Sequence, residues 1–318
     1  MPQFRKNLSF LFKTLITLVL LVFIFYGIHW KEFLATLSRV DIGWLIISSL
    51  IVLAGEALIA LRLKVLLSPT SFDLPVFKLL KIGFIAWFYA FFLPSGLGLG
   101  IARWFLITGN KRGRLIFAFV TFIEKSLFFA VCILSIAVPL IVIADNQTAG
   151  LRKALLPVLM ISLVAMAILF ALVLFPPANR KVGEWLEAIK NRIKYRLDFL
   201  AEIRRVSSLY SGQLDKIGEA GILTLLVQFA ILTRIIMLFY AVGVDLPIVT
   251  ALWIAALVFL IQALPISFAG LGVRESAFAY AFGLYGLRPE SGVAVGVLFL
   301  GQLIMCALIG GMLRVIGK

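Results

Sequence analysis

The chain has 318 residues, 63% of them hydrophobic and 14% charged, with a formal net charge of +15. Soluble domains carry about 45–50% apolar and about 25% charged residues, so a water-soluble globule is excluded and an integral membrane protein is expected. The 30 Lys and Arg are therefore read against the two faces of a bilayer, and no nucleic-acid partner is expected.

The first apolar run is 10–28, with Arg5 and Lys6 before it and Lys13 near its start. No small-x-small cleavage pattern follows; His29-Trp30-Lys31-Glu32 comes instead, so the run reads as a retained signal anchor. Further runs long enough to cross, about 20 residues each, are 42–61, 115–144, 154–175, 221–243 and 291–313. Two other stretches are broken. Residues 79–108 are interrupted by Pro94-Ser95-Gly96-Leu97-Gly98-Leu99-Gly100, and 248–287 by Pro265-Ile266-Ser267-Phe268-Ala269-Gly270-Leu271-Gly272. Proline and glycine at that density break a helix.

Flanking charge decides how the broken stretches run. Lys78 and Lys81 precede the first and Lys111, Arg112 and Arg114 follow it, so it enters and leaves on the cytoplasmic side. The second lies between Asp245 and Arg288-Pro289-Glu290, poor in positive charge, and enters from outside. The expected fold is an all-α integral membrane protein with six full transmembrane helices, two re-entrant helical hairpins and both termini cytoplasmic. Eight or more helices result if the hairpin arms span. Inside segments then hold 21 of the 30 Lys and Arg and outside segments five, the asymmetry expected of an inner-membrane protein.

The 1–318 chain is a single polytopic domain in this reading. Pseudo-repeat 1 covers about 10–144 and pseudo-repeat 2 about 154–313, each in the order span, span, hairpin, span. Three crossings in the first unit start the second from the opposite face, an inverted-topology repeat of the kind found in secondary transporters. Between them, 178–220 spaces Val182, Trp185, Leu186, Ile189, Ile193, Leu197 and Leu200 helically among basic residues. It reads either as a basic amphipathic helix on anionic inner-leaflet lipid or as a plain connector.

The hairpin tips carry the chemistry. Pro94 precedes Arg103 by nine residues and Pro265 precedes Arg274 by nine, with glycines between. Unwound backbone at membrane depth is tolerated only where it meets protein or lines a wet cavity. A second arm starting at depth points free amides and a positive dipole end into that cavity, and an arginine adds a planar fork for phosphate or carboxylate. The candidate substrate-binding residues are Arg103, Arg274, Glu124 and Glu275, with Pro94, Gly96, Gly98, Gly100, Pro265, Gly270 and Gly272 shaping the tips. Seven charges (Glu56, Arg103, Glu124, Lys125, Arg234, Arg274 and Glu275) sit in or near apolar stretches. Facing lipid they would cost on the order of 20 kcal/mol together, so they must pair or face water. Glu56 and Arg62 are expected to snorkel or pair near an interface.

Cys132 and Cys306 lie singly in apolar runs, and one His29 completes no metal cluster; no metal, cofactor or catalytic group is expected. A Walker-type loop is also missing from the sequence. The chain resembles the flippase-like transmembrane domain of lysyl-phosphatidylglycerol synthetases, the multiple peptide resistance factor family. The resemblance is in Leu93-Pro94-Ser95-Gly96 through Gly100 and Arg103, in Glu124, and in Pro265 through Gly270-Leu271-Gly272-Val273-Arg274-Glu275. It implies a translocase moving a phospholipid or lipid-linked head group between leaflets. The chain ends at Lys318 with no room for a synthase domain, so a stand-alone member without lysyl transfer is expected. The alternatives are a membrane-embedded lipid-phosphate or sugar transferase, or a non-catalytic partner of a lipid-modifying enzyme. Homo-oligomerisation and a separate synthase partner stay open.

Overall fold

A computed structural model describes residues 26, 28–70, 72, 74–91, 98–108, 111–142, 149–174, 208–210, 212–263 and 270–316. The described residues form ten helices and no strand. They are α1 (Trp30–Ser38), α2 (Ile42–Leu67), α3 (Val76–Phe91), α4 (Gly98–Ile107), α5 (Lys111–Val142), α6 (Ala149–Leu174), α7 (Leu214–Ala241), α8 (Ile248–Ala263), α9 (Val273–Leu284) and α10 (Pro289–Ile316). Five helices, α2, α5, α6, α7 and α10, are long and apolar enough to cross a membrane. The fold is therefore the all-α membrane architecture read from the sequence. Of the expected first span, 10–28, only Tyr26 and Ile28 are among the described residues, and 178–207 of the connector lie outside them. The connector is also shorter than expected, because α7 begins at Leu214 rather than after residue 220.

Each broken stretch forms two arms. The second arms, α4 and α9, have 10 and 12 residues. At 1.5 Å per residue they measure about 15 and about 18 Å, well short of a ~30 Å hydrocarbon core.

Local chemistry sets the helix ends. Asp41 caps α2 by accepting from the Gly43 and Trp44 amides at 2.7 and 3.3 Å. At the end of α7, Gly243 takes φ +74° and the Val244 N–H returns to the Phe239 carbonyl. Gly286 (φ +68°) and the Leu287 N–H bond to the Phe282 carbonyl repeat that arrangement after α9. Both stops use the left-handed backbone that glycine adopts without a Cβ penalty.

The helices pair in an exchanged pattern. α2 packs along α7, α3 against α10, and α8 against α5. The α2–α7 pair is antiparallel: the Asp41 N–H donates to the Ala241 carbonyl at one end, and Arg62 reaches Thr224 toward the other. The two largest of four apolar clusters among the described residues fill most of the interior. One gathers Phe239, Phe278, Phe282, Phe299 and Trp253, with Phe239 edge-on to Phe278 and Phe282. The other gathers Leu66, Leu67, Phe117, Ile123 and Tyr210. The Tyr210 hydroxyl donates to the Leu66 carbonyl at 2.5 Å, and burial raises its pKa.

Glycine permits the closest helix approaches. A Cβ at Gly310 would stand 1.9 Å from the Phe84 carbonyl oxygen, so α10 meets the α3 backbone directly. Gly292 and Gly296 form a small-xxx-small pair on α10; a Cβ at these positions would reach the Phe278 and Glu275 atoms of α9 at 2.6 and 2.8 Å.

Candidate functional site

A cavity of about 690 Å³ opens among α2, α3, α4, α5, α7, α8 and α10, within the ~300–1,000 Å³ range of small-molecule sites. Most of its wall is apolar, including Trp87, Trp104, Phe128, Phe259 and Phe299. Six ionisable side chains interrupt that wall: Glu56, Arg62, Arg103, Glu124, Lys125 and Arg234.

Glu124, on α5, is the hub of an ion-pair network. It meets Arg62 of α2 at 2.5 Å and Arg103 of α4 at 3.8 Å. Arg103 also lies 3.7 Å from Glu56, whose other carboxylate oxygen accepts the Trp87 indole N–H at 2.8 Å. Gly83 on α3 leaves room for this pair, since a Cβ there would stand 3.6 Å from Glu56 and 3.7 Å from Arg103. All four charged side chains are under 10% exposed. Pairing is what makes charge at this depth tolerable. Lys125 points elsewhere, with its ammonium 5.5 Å from the Phe128 ring centre, as the ~100° turn between neighbouring helical residues requires.

The start of α9 is held differently. Gly270 and Gly272 adopt φ +73° and +80°. The Gly272 amide donates to the Glu275 carboxylate at 2.7 Å, capping α9. Glu275 in turn pairs with Arg274, which is fully buried. The Arg274 guanidinium lies 4.8 Å from the Phe299 ring centre, and that of Arg234 on α7 lies 4.1 Å from the same centre. Phe299 lines the cavity, and so does Gly270, but Arg274 and Glu275 do not.

Of the residues singled out by sequence, Arg103, Glu124, Gly100 and Gly270 stand on the cavity wall. Arg274 and Glu275 stand behind it, paired with each other, and Gly272 is the N-cap of α9. Gly98 and Gly100 belong to the first turn of α4 rather than to an unwound tip. Pro94, Gly96 and Pro265 fall outside the described residues. Glu56 and Arg62, expected near an interface, are buried members of the network. Arg234, one of the membrane-depth charges to which the sequence alone assigns no role, lines the cavity.

A signal for these residues existed. Glu56 and Arg62 stand six residues apart on α2, and Gln228 and Arg234 stand six apart at the same ordinal places on α7. Glu124 on α5 and Gln302 on α10 also share an ordinal place.

Long apolar helices surrounding an arginine-bearing, largely apolar cavity define a multi-pass membrane protein with an internal site. Residues 10–310 match the family described as the lysylphosphatidylglycerol synthase TM region. The chain belongs to that family. Neither the curated proteins nor the solved structures contain a significant match.

Proposed function

We propose that the chain is a lipid translocase, moving a phospholipid or lipid-linked head group between leaflets of the cytoplasmic membrane. The observation that carries this reading is the cavity itself. Arg62, Arg103 and Arg234 project from three different helices into one largely apolar chamber. Guanidinium groups suit a phosphate, and aromatic walls suit the first methylenes of acyl chains. Family membership supports the lipid class.

Alternating access needs a site shared between two opposed halves. The antiparallel α2–α7 pair and the exchanged α3–α10 and α8–α5 contacts support a pseudo-twofold relation between 10–144 and 154–313. The short α4 and α9 arms support re-entrant hairpins. Positive charge at 62–81, 111–114 and 178–220 supports cytoplasmic termini.

The test is a vesicle assay. Purified protein is reconstituted with head-group-labelled phospholipid, and inner-leaflet label is followed as it becomes open to a membrane-impermeant quencher. Movement above that of protein-free vesicles is expected, reduced at least about tenfold by Arg103→Gln, the loss of one charge-assisted phosphate contact. Absence of movement for anionic, zwitterionic and cationic lipids alike would overturn the translocase reading.

A further inference from the structure

The two halves of the site are not electrostatically equivalent. Where α2 carries Glu56, α7 carries Gln228, and where α5 carries Glu124, α10 carries Gln302. The arginines are retained: Arg62 has its counterpart in Arg234, and Arg103 in Arg274. Acid is thus replaced by amide in the second half while base is kept.

The consequence is visible in the pairing. Each of the three carboxylates is engaged. Glu124 holds Arg62 and Arg103, Glu56 holds Arg103 and the Trp87 N–H, and Glu275 holds Arg274 and the Gly272 N–H. The second Glu56 oxygen, enclosed and without a hydrogen-bond partner, lies 3.7 Å from Arg103. Two cations on the cavity wall, Arg234 and Lys125, meet no carboxylate within 4 Å among the described residues. Arg234 is 8% exposed, its Nε has no hydrogen-bond partner, and its guanidinium rests on Phe299. Gln302, at the place where Arg62 finds Glu124, donates to Ser48 instead, and Ser48 donates to the Arg234 carbonyl.

We infer that the cavity selects a head group with net negative charge and no ammonium group, a phosphate ester of an uncharged alcohol, with Arg234 as the principal anion-binding residue. This rests on the translocase reading and names its substrate class. An anion beside Arg234 offsets the cost of holding an unpaired guanidinium at membrane depth and gains charge-assisted, planar hydrogen bonds. An ammonium group entering the same space meets Lys125 and Arg234, while the two carboxylates on the wall, Glu56 and Glu124, already face arginines.

Binding separates this claim from transport. Detergent-solubilised full chain is titrated by calorimetry with short-chain phosphatidylglycerol, short-chain phosphatidylcholine, short-chain lysyl-phosphatidylglycerol and inorganic phosphate. Phosphatidylglycerol is expected to bind at least about tenfold more tightly than the zwitterionic and cationic lipids, and more tightly than inorganic phosphate. Arg234→Gln should erase the preference. Gln302→Glu, which supplies the acid the second half lacks, should weaken phosphatidylglycerol binding by about tenfold as well. Melting curves identify a variant that has not folded, and Arg234→Lys then serves in its place, with the preference reduced but kept. Equal affinity for all three lipids, tightest binding of the cationic one, or a preference untouched by both substitutions would overturn the inference. Inorganic phosphate binding as tightly as phosphatidylglycerol would overturn its lipid part. A head-group preference found without vesicle transport would leave the anion site standing and remove the translocase reading.

Discussion

Glu124→Gln tests the network most sharply, because one carboxylate serves two arginines. The substitution keeps shape and removes charge. Arg103 retains Glu56 at 3.7 Å, so the loss falls mainly on Arg62. Its remaining side-chain contact is the Thr224 hydroxyl at 3.4 Å, at the long limit of a hydrogen bond. Removing one partner of a buried ion pair costs about 3–5 kcal/mol. The network borders a cavity rather than a solid core, which leaves the freed guanidinium room to relax, so the lower end, about 3 kcal/mol, is expected. That is a large share of a typical stability of about 5–15 kcal/mol. The assay is denaturant unfolding in detergent, run as a double-mutant cycle with Arg62→Gln. The double variant should be more stable than the sum of single effects predicts, with a coupling of about 1–3 kcal/mol. Wild-type stability for Glu124→Gln, or strict additivity in the cycle, would refute the network as the element that holds α2, α4 and α5 together.

Other consequences are readily measured. Gly310→Ala places a methyl group on the Phe84 carbonyl; forcing α3 and α10 apart should cost about 1–3 kcal/mol by thermal melting, and an unchanged melting point would contradict the close approach. Gly272→Ala imposes a side chain at φ +80° and should destabilise by about 1–3 kcal/mol, whereas the exposed helical Gly301→Ala should be neutral or slightly stabilising. Single cysteines at Gly212 and Asp245, beyond opposite ends of the 28-residue α7, should react with a membrane-impermeant thiol reagent from opposite faces. Labelling from one face would break the topology.

Much of this architecture is local and therefore legible in sequence. Apolar runs reveal the long helices because about 20 residues must be continuously apolar to cross. The Gly-Pro clusters mark the breaks between α3 and α4 and between α8 and α9, because a break needs only a few residues. Membership of the site is not local. The apolar run of α2 ends at Leu61, which made Arg62 look peripheral, but the helix continues to Leu67. Arg62 finds its partner 62 residues onward in Glu124. The tip-arginine logic placed Arg103 on the cavity wall. Arg274 sits behind that wall because the adjacent Glu275 folds back to cap α9 and neutralise it. Arg234 carries no proline or glycine signature; only the matching order of α2 and α7 marks it. The short α1 ahead of α2 is not legible in the sequence, because nine residues leave little periodicity to read.

The central claim is that a lipid head group enters the chamber bounded by both halves of the chain. A phospholipid bearing a photoactivatable diazirine in its head group, irradiated with the protein in membranes and mapped by peptide mass spectrometry, tests it directly. Label is expected on Phe117–Phe129 of α5 and on α4, which line the chamber. Label confined to the outward apolar face of α6, at positions such as Ile161 and Ile168, with none on the chamber wall, would contradict it.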